Sequence, residues 1–294
     1  MSRRTIGALI VLGTTLSALA CTITLPIDVP RLEVGEMQEM TETVPLDDID
    51  EATVDVVFGA GELTLEAGGE EELFRGRFRY NVEEWEPTVS YEEGELSIEQ
   101  GGTEDDWGMP TGRARNEWAL ELSPEIPLDV DMRLGAGDGE LDFGGLQLQR
   151  LELDVGAGDF EVSFDGPNPV AMDRFTVDSG AARLVVDRIG DASPEEVRVQ
   201  GGVGDVTFDF TGGWANSSDI DITAGVGAVT LRLPESVGVE VNAGGGLSNV
   251  DTTGFEQDGN TYTNEAFGEA ETELRINVTT GVGQLNLISV SDGE

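Results

Sequence analysis

Along most of the chain apolar side chains alternate with polar ones, run into Gly-x-Gly, and alternate again on the far side. In the clearest copy Leu151, Leu153 and Val155 lead into Gly156-Ala157-Gly158, and Phe160, Val162 and Phe164 lead out. Val197 and Val199 precede Gly202-Val203-Gly204, with Val206, Phe208 and Phe210 after it; Ile220 and Ile222 precede Gly225-Val226-Gly227, with Val229, Leu231 and Leu233 after it. Weaker copies centre on Gly59, Gly135, Gly180, Gly244 and Gly281, and Ala182 replaces the second glycine in the Gly180 copy. Between Gly135 and Gly244 the steps are 21, 24, 22, 23 and 19 residues, too regular for chance turns, while gaps of 76 residues after Gly59 and 37 after Gly244 mark insertions. Period-two alternation predicts two short strands per unit, each with one buried face, and the glycines supply the bend between them.

A unit of about 22 residues cannot bury its apolar face alone, but stacked units share a continuous interior. The prediction is therefore an all-β chain: a β-solenoid, parallel β-helix-like with about 22 residues per coil, over 123–290. An antiparallel sandwich with irregular hairpins is the structural alternative. Residues 51–122 differ. Phe74–Tyr80 and Pro87–Gln100 have the pattern of hairpin strands, which predicts an N-terminal antiparallel β capping subdomain. Trp85, Trp107 and Trp118 lie in or beside it, as rings that would close the end of the column. A second plug is expected over Asp251–Gly268, with Phe255, Tyr262 and Phe267.

Composition then narrows the chemistry. The 294 residues contain no histidine and one cysteine, the 16 basic residues are all arginine, and 59 acids give a formal net charge of −43. These counts exclude a histidine base, a histidine-rich metal site, a catalytic lysine and an internal disulfide. Nucleic acid is excluded as a partner, because phosphates would meet a strongly negative field.

Residues 1–20 carry Arg3-Arg4, an apolar run from Ile6 to Leu19 and a small-residue cleavage site, the pattern of an export signal. Cys21 follows Ala18-Leu19-Ala20 directly, an arrangement that resembles a prokaryotic lipobox and marks Cys21 for lipidation. The expectation is an extracytoplasmic lipoprotein anchored to the membrane through Cys21, with 21–50 as a tether rich in proline and acids.

Val56-Val57-Phe58-Gly59-Ala60-Gly61-Glu62-Leu63, Pro87-Thr88-Val89, Trp118-Ala119-Leu120-Glu121-Leu122 and Ile126-Pro127-Leu128-Asp129-Val130-Asp131-Met132-Arg133-Leu134-Gly135-Ala136-Gly137 together resemble the bacterial toast-rack domain family. The Gly-x-Gly-Asp units that follow are similar to the C-terminal repeats of cell-wall-active antibiotics response proteins and adhesin candidates. That resemblance covers nearly everything after Asp50. It implies a β-rich body at the cell envelope and brings no catalytic residues. Regulatory relatives join the repeats to several membrane helices and modulate an envelope-stress sensor kinase; this chain shows no such helices.

The remaining chemistry is weighed against plain structural roles. The glycine loops never complete Gly-x-Gly-x-x-Gly and lead into strands, so no nucleotide cofactor is expected. Asp138, Asp159 and Asp205 directly follow Gly-x-Gly and are weak calcium candidates, or solvated corner carboxylates. A β-helix lyase would use arginine as base, with Arg183, Arg188 and Arg198 as nominal candidates and no constellation around them. Arg75, Arg77 and Arg79 form a basic stripe that either receives a ligand or pairs with Glu92, Glu93 or Glu95. Trp107 either stacks on a sugar or fills the plug. The expected function is a non-enzymatic, adhesin-like surface scaffold for an envelope protein or glycan. An envelope-stress sensor acting on a membrane partner is the alternative, and a glycan-degrading enzyme ranks behind both.

Overall fold

The computed structural model describes residues 31–46, 48–102, 109–110 and 112–291. Within them the chain is all-β: its helical pieces are a single turn, α1 (Ile189–Ala192), and a 3-10 turn at Glu83–Trp85. The strands are β1 (Val34–Pro45), β2 (Ala52–Ala67), β3 (Glu72–Val82), β4 (Pro87–Glu92), β5 (Glu95–Gln100), β6 (Asn116–Leu122), β7 (Pro127–Asp142) and β8 (Gln147–Ser163). They continue with β9 (Met172–Asp187), β10 (Pro194–Val203), β11 (Val206–Asp209), β12 (Ser218–Pro234), β13 (Gly238–Thr253), β14 (Glu256–Asp258), β15 (Thr261–Thr263) and β16 (Glu273–Val290). All sixteen share one sheet. A separate two-residue parallel pair joins Arg31–Leu32 to Met109–Pro110.

The core of the sheet is a parallel ladder in the order β2, β7, β8, β9, β10 with β11, β12, β16, β13. This arrangement fits a β-solenoid. Its rungs are in most cases single long strands, where two short strands per unit are expected from the alternation. In β8, Leu151, Leu153 and Val155 are buried before the glycines and Phe160 and Val162 after them. Val155 and Phe160 are five residues apart. In a flat strand an odd step would put them on opposite faces; here the corner between them reverses the parity, so both arms face one interior.

Parallel pairing continues through the corner, through Val155↔Ser179, Ala157↔Ala181 and Gly158↔Ala182, so the glycines bend the rung without ending it. They are required there. Gly158 has φ +136°, and a Cβ on it would lie 1.8 Å from the carbonyl oxygen of Gly137 on the rung below. Volume is traded between rungs as well: Phe160 lies beside Gly139, whose added Cβ would sit 2.6 Å from the ring.

Three sequence expectations are corrected, and a fourth, the insertion after Gly244, is refined. Val34–Pro45, within the expected tether, forms β1, antiparallel on β3. Its acids hide the strand, because an edge strand facing solvent on most of its surface needs little apolar alternation. Residues 51–122 are not separate from the ladder, since β2 is itself a rung paired with β7 over Ala52–Leu65. The 37-residue gap after Gly244 holds the β14–β15 hairpin, and it reflects a change of order: the C-terminal β16 slots between β12 and β13. The strands from Pro87 to Gln100 pair with each other and with the first arm of β2, and so lie away from the Arg75–Arg79 stripe.

Both ends of the ladder are closed by buried side-chain amides. At the β2 corner, where β5 has ended and β6 not yet begun, Gln100 Oε1 accepts from the Gly59 and Ala60 amides at 2.9 and 3.2 Å. Asn116 Nδ2 donates to the same oxygen at 2.8 Å and to the Ala60 carbonyl at 2.9 Å. The two amides thus stand in for a missing rung. Trp118 donates to Asn116 Oδ1 and packs edge-on between Phe58 and Phe78, with centroids 5.1 and 5.0 Å away. At the other end Asn264 accepts from the Val239 amide and donates to the carbonyls of Val237 and Pro234. Of the expected second plug, Tyr262 is buried, and Phe255 and Phe267 are half-buried.

Candidate functional site

Just before the corner one outward row runs Val57, Arg133, Asp154, Asp178, Gln200 across β2, β7, β8, β9 and β10, one residue per rung. Beside it the corner glycines Gly59, Gly135, Gly156 and Gly180 stack. A Cβ on Gly135, Gly156 or Gly180 would lie 2.1–2.5 Å from the carbonyl oxygen of the glycine one rung earlier. The stack therefore carries no side chain and forms a floor of backbone. Row and floor make the long sides of an open groove of about 720 Å³, closed at the β2 end by Trp85, Gln100 and Gly102. Trp85 reaches this place from the 3-10 turn between β3 and β4 and is half-buried.

The electrostatics of the row are mixed. Arg133 is held by Asp55 and Asp131, each at 3.3 Å. Burial, with the Asp154 carboxylate next in weight, pushes the Asp178 carboxyl above the ordinary aspartate range. Asp154 and Asp178 occupy paired positions on adjacent strands and project from the same wall. A glycosidic acid and its partner must flank the scissile bond, and two carboxylates on one wall do not. The arrangement suits hydrogen bonding to a ligand lying along the row.

The residues expected from sequence fall elsewhere. Arg75 pairs with Glu72 at 2.7 Å, Arg77 with Glu121 at 2.9 Å, and Arg79 with Glu117 at 2.7 Å and Glu39 at 3.2 Å. Their carboxylates come from β1, β3 and β6, not from Glu92, Glu93 or Glu95, because the β4–β5 hairpin packs on β2. Such exposed pairs add little to stability, because solvent and salt screen them. Asp138 and Asp159 are exposed register partners, while Asp205 lies beyond β10 and accepts from the Ala228 amide at 3.1 Å. No group of three or more acidic, cysteine or histidine side chains suited to a metal occurs among the described residues. Arg183, Arg188 and Arg198 are not brought together: each has its own carboxylate, from Glu161, Asp191 and Glu196 respectively. Trp107 and Cys21 lie outside the described residues.

Sequence reasoning missed Trp85 as a groove residue and missed the Asp154–Asp178–Gln200 row. The signal for the row was present, since these residues occupy the second place before each Gly-x-Gly. Trp85 had none, because nothing local tells a ring that plugs a column from one that borders a groove. No helix among the described residues is long and apolar enough to cross a membrane.

Comparison with known proteins gives a family and a set of similar structures. No curated protein matches the chain. A candidate cell adhesion protein from Clostridium sporogenes is 26% identical, with 87% of this chain and 100% of that one aligned at a TM-score of 0.48. A candidate adhesin from Bacteroides fragilis is 12% identical, over 87% of this chain and 100% of its own, at 0.43. A candidate lipid binding protein from Parabacteroides distasonis is 13% identical, over 88% and 100%, at 0.41. The family model described as the N-terminal domain of toast_rack, DUF2154, matches residues 33–187 and again 168–232. The first match runs from the residue before β1 to the last residue of β9, so edge strand, hairpin and first rungs fall within one family domain, and the chain belongs to the toast_rack family.

Proposed function

We propose that this protein is a non-enzymatic, adhesin-like scaffold of the prokaryotic cell envelope, exported by residues 1–20 and held to the membrane by a lipid on Cys21. In this reading β1, β3, β6 and the β4–β5 hairpin form an antiparallel cap over the first rung, and the ladder behind them carries the contact surface away from the lipid. The observation that carries the reading is the ladder itself. Its outward rows present polar side chains at a strand spacing of about 4.8 Å. A dense negative surface keeps such a body off anionic headgroups.

Two experiments test this together. Metabolic labelling with a fatty acid should mark the wild-type chain and not Cys21→Ser, and Cys21→Ser should appear in the medium. Cells lacking the protein should attach less to their natural surface, with attachment restored by the wild-type chain. Labelling of the Cys21→Ser variant, or attachment unchanged by deletion, contradicts the proposal.

A further inference from the structure

We propose that the groove bordered by Trp85 binds an uncharged glycan segment; this rests on the scaffold reading above and names its ligand. Three observations converge. First, Trp85 is the one described tryptophan that stacks on no other ring, whereas Trp118 packs on Phe58 and Phe78 and Trp214 on Phe210. A half-exposed indole at the end of a groove offers an apolar face with a polar edge.

Second, Asp154, Asp178 and Gln200 make no side-chain hydrogen bond or ion pair among the described residues. The outward row four residues before it is satisfied by Arg150 on Asp129 and Arg174 on Glu196. Two carboxyls and an amide, one per rung, can meet successive hydroxyl groups of a chain that lies along the ladder. Third, the glycine floor lets a flat ligand approach the backbone, and the volume of about 720 Å³ is that of a small-ligand site.

Charge and backbone decide between ligands. Phosphate or uronate groups would face Asp154 and Asp178 on a protein of net charge −43, and the one cation of the row, Arg133, is already held by Asp55 and Asp131. A peptide would add to a free strand edge; β7, β8 and β9 pair on both sides with their neighbours, and the corner of β2 is already covered by the Gln100 and Asn116 amides. A saccharide needs neither: its hydroxyls meet the row, and its C–H face meets Trp85 and the glycines.

The test is calorimetry of the purified chain against a panel of neutral oligosaccharides, with a polyuronate and a peptide library as competitors. A neutral member should bind. Trp85→Ala should weaken binding by up to about tenfold, the upper range for one aromatic contact, while Trp85→Phe retains most of it. Asp178→Asn should weaken binding less, and Val226→Thr on the same fold should not change it; circular dichroism checks that each variant folds. Absence of any neutral ligand, binding untouched by Trp85→Ala, or preference for the polyuronate or a peptide overturns the inference. Glycan binding lost with attachment intact removes this inference and leaves the scaffold; attachment unaffected by deletion, with binding intact, does the reverse.

Discussion

The same Gly-x-Gly corner is built in two ways along the ladder. Its inward position just before the corner reads, rung by rung, Phe58, Leu134, Val155, Ser179, Gly201, Ala224, Thr280. The residue between the glycines reads Ala60, Ala136 and Ala157 at the near end, and Val203, Val226 and Val282 at the far end. Apolar bulk lies inside the corner on β2, β7 and β8 and outside it on β10, β12 and β16. Phe58 and Leu134 are 2% exposed, whereas Val203, Val226 and Val282 are 59, 51 and 63% exposed. One backbone motif thus gives a groove at one end and an apolar ridge at the other, and two side-chain positions per rung choose between them.

The largest test of this comparison strikes what the two ends share. Gly158→Val should cost about 4 kcal/mol or prevent folding, because the new side chain meets a neighbouring carbonyl at a backbone conformation that L-residues avoid. Gly69→Ala, with no atom near the added Cβ, should stay within about 0.5 kcal/mol. Denaturant midpoints separate the two. If Gly158→Val folds with an unchanged midpoint, the corner is not the constraint described.

Next comes the difference between the ends. Leu134→Ala should destabilise by about 2–5 kcal/mol through the cavity it leaves. Val226→Thr on the exposed ridge should stay within about 0.5 kcal/mol. Equal effects would erase the inside–outside exchange.

Closure of the near end should register third. Gln100→Leu orphans the Gly59 and Ala60 amides and removes one partner of Asn116, and should cost about 1–3 kcal/mol. The loss should appear first as faster amide exchange at Gly59 and Ala60, before any change at the Asn264 end.

The smallest effect is on pH dependence. Burial, the largest cause in each case, raises the Asp131, Asp178 and Asp187 carboxyls above the ordinary aspartate range. Asp55 and Asp154 add to the rise at Asp131 and Asp209 adds at Asp187, with Arg133 and Arg232 opposing. A raised carboxyl binds its proton more tightly folded than unfolded. Between the two values the native state holds the extra proton, so stability falls as pH rises through that window. Glu196 is shifted the other way, first by its hydrogen bond from Arg174, at a half-buried position. The melting temperature should therefore increase modestly as pH falls from neutral toward the ordinary aspartate range. Asp178→Asn should flatten part of that slope, and a slope of opposite sign would contradict the assignment.

Legibility followed from which interactions are local. The alternation around Gly156-Ala157-Gly158 fixes a rung, and its recurrence identifies the ladder, because both express period-two burial. The place of β16 between β12 and β13 has no local signal, since either neighbour would bury the same Ile276, Val278 and Leu285 face. β1 was hidden because Glu36, Glu39 and Glu42 on an edge strand read as linker. Gln100 and Asn116 act through contacts 40 and 56 residues away, to Ala60 in each case, and a lone amide at a strand end announces neither. The groove was half legible: Asp154, Asp178 and Gln200 share a repeat position, but Trp85 joins them only through a turn outside the repeat.

The comparison of groove and ridge is tested most directly by hydrogen-exchange mass spectrometry of the chain with and without the tightest neutral oligosaccharide. Added protection is expected over Glu83–Gly102 and the corners of β7, β8 and β9, with none at Val203, Val226 and Val282. Protection confined to the valine ridge, or spread evenly along the ladder, would contradict that comparison.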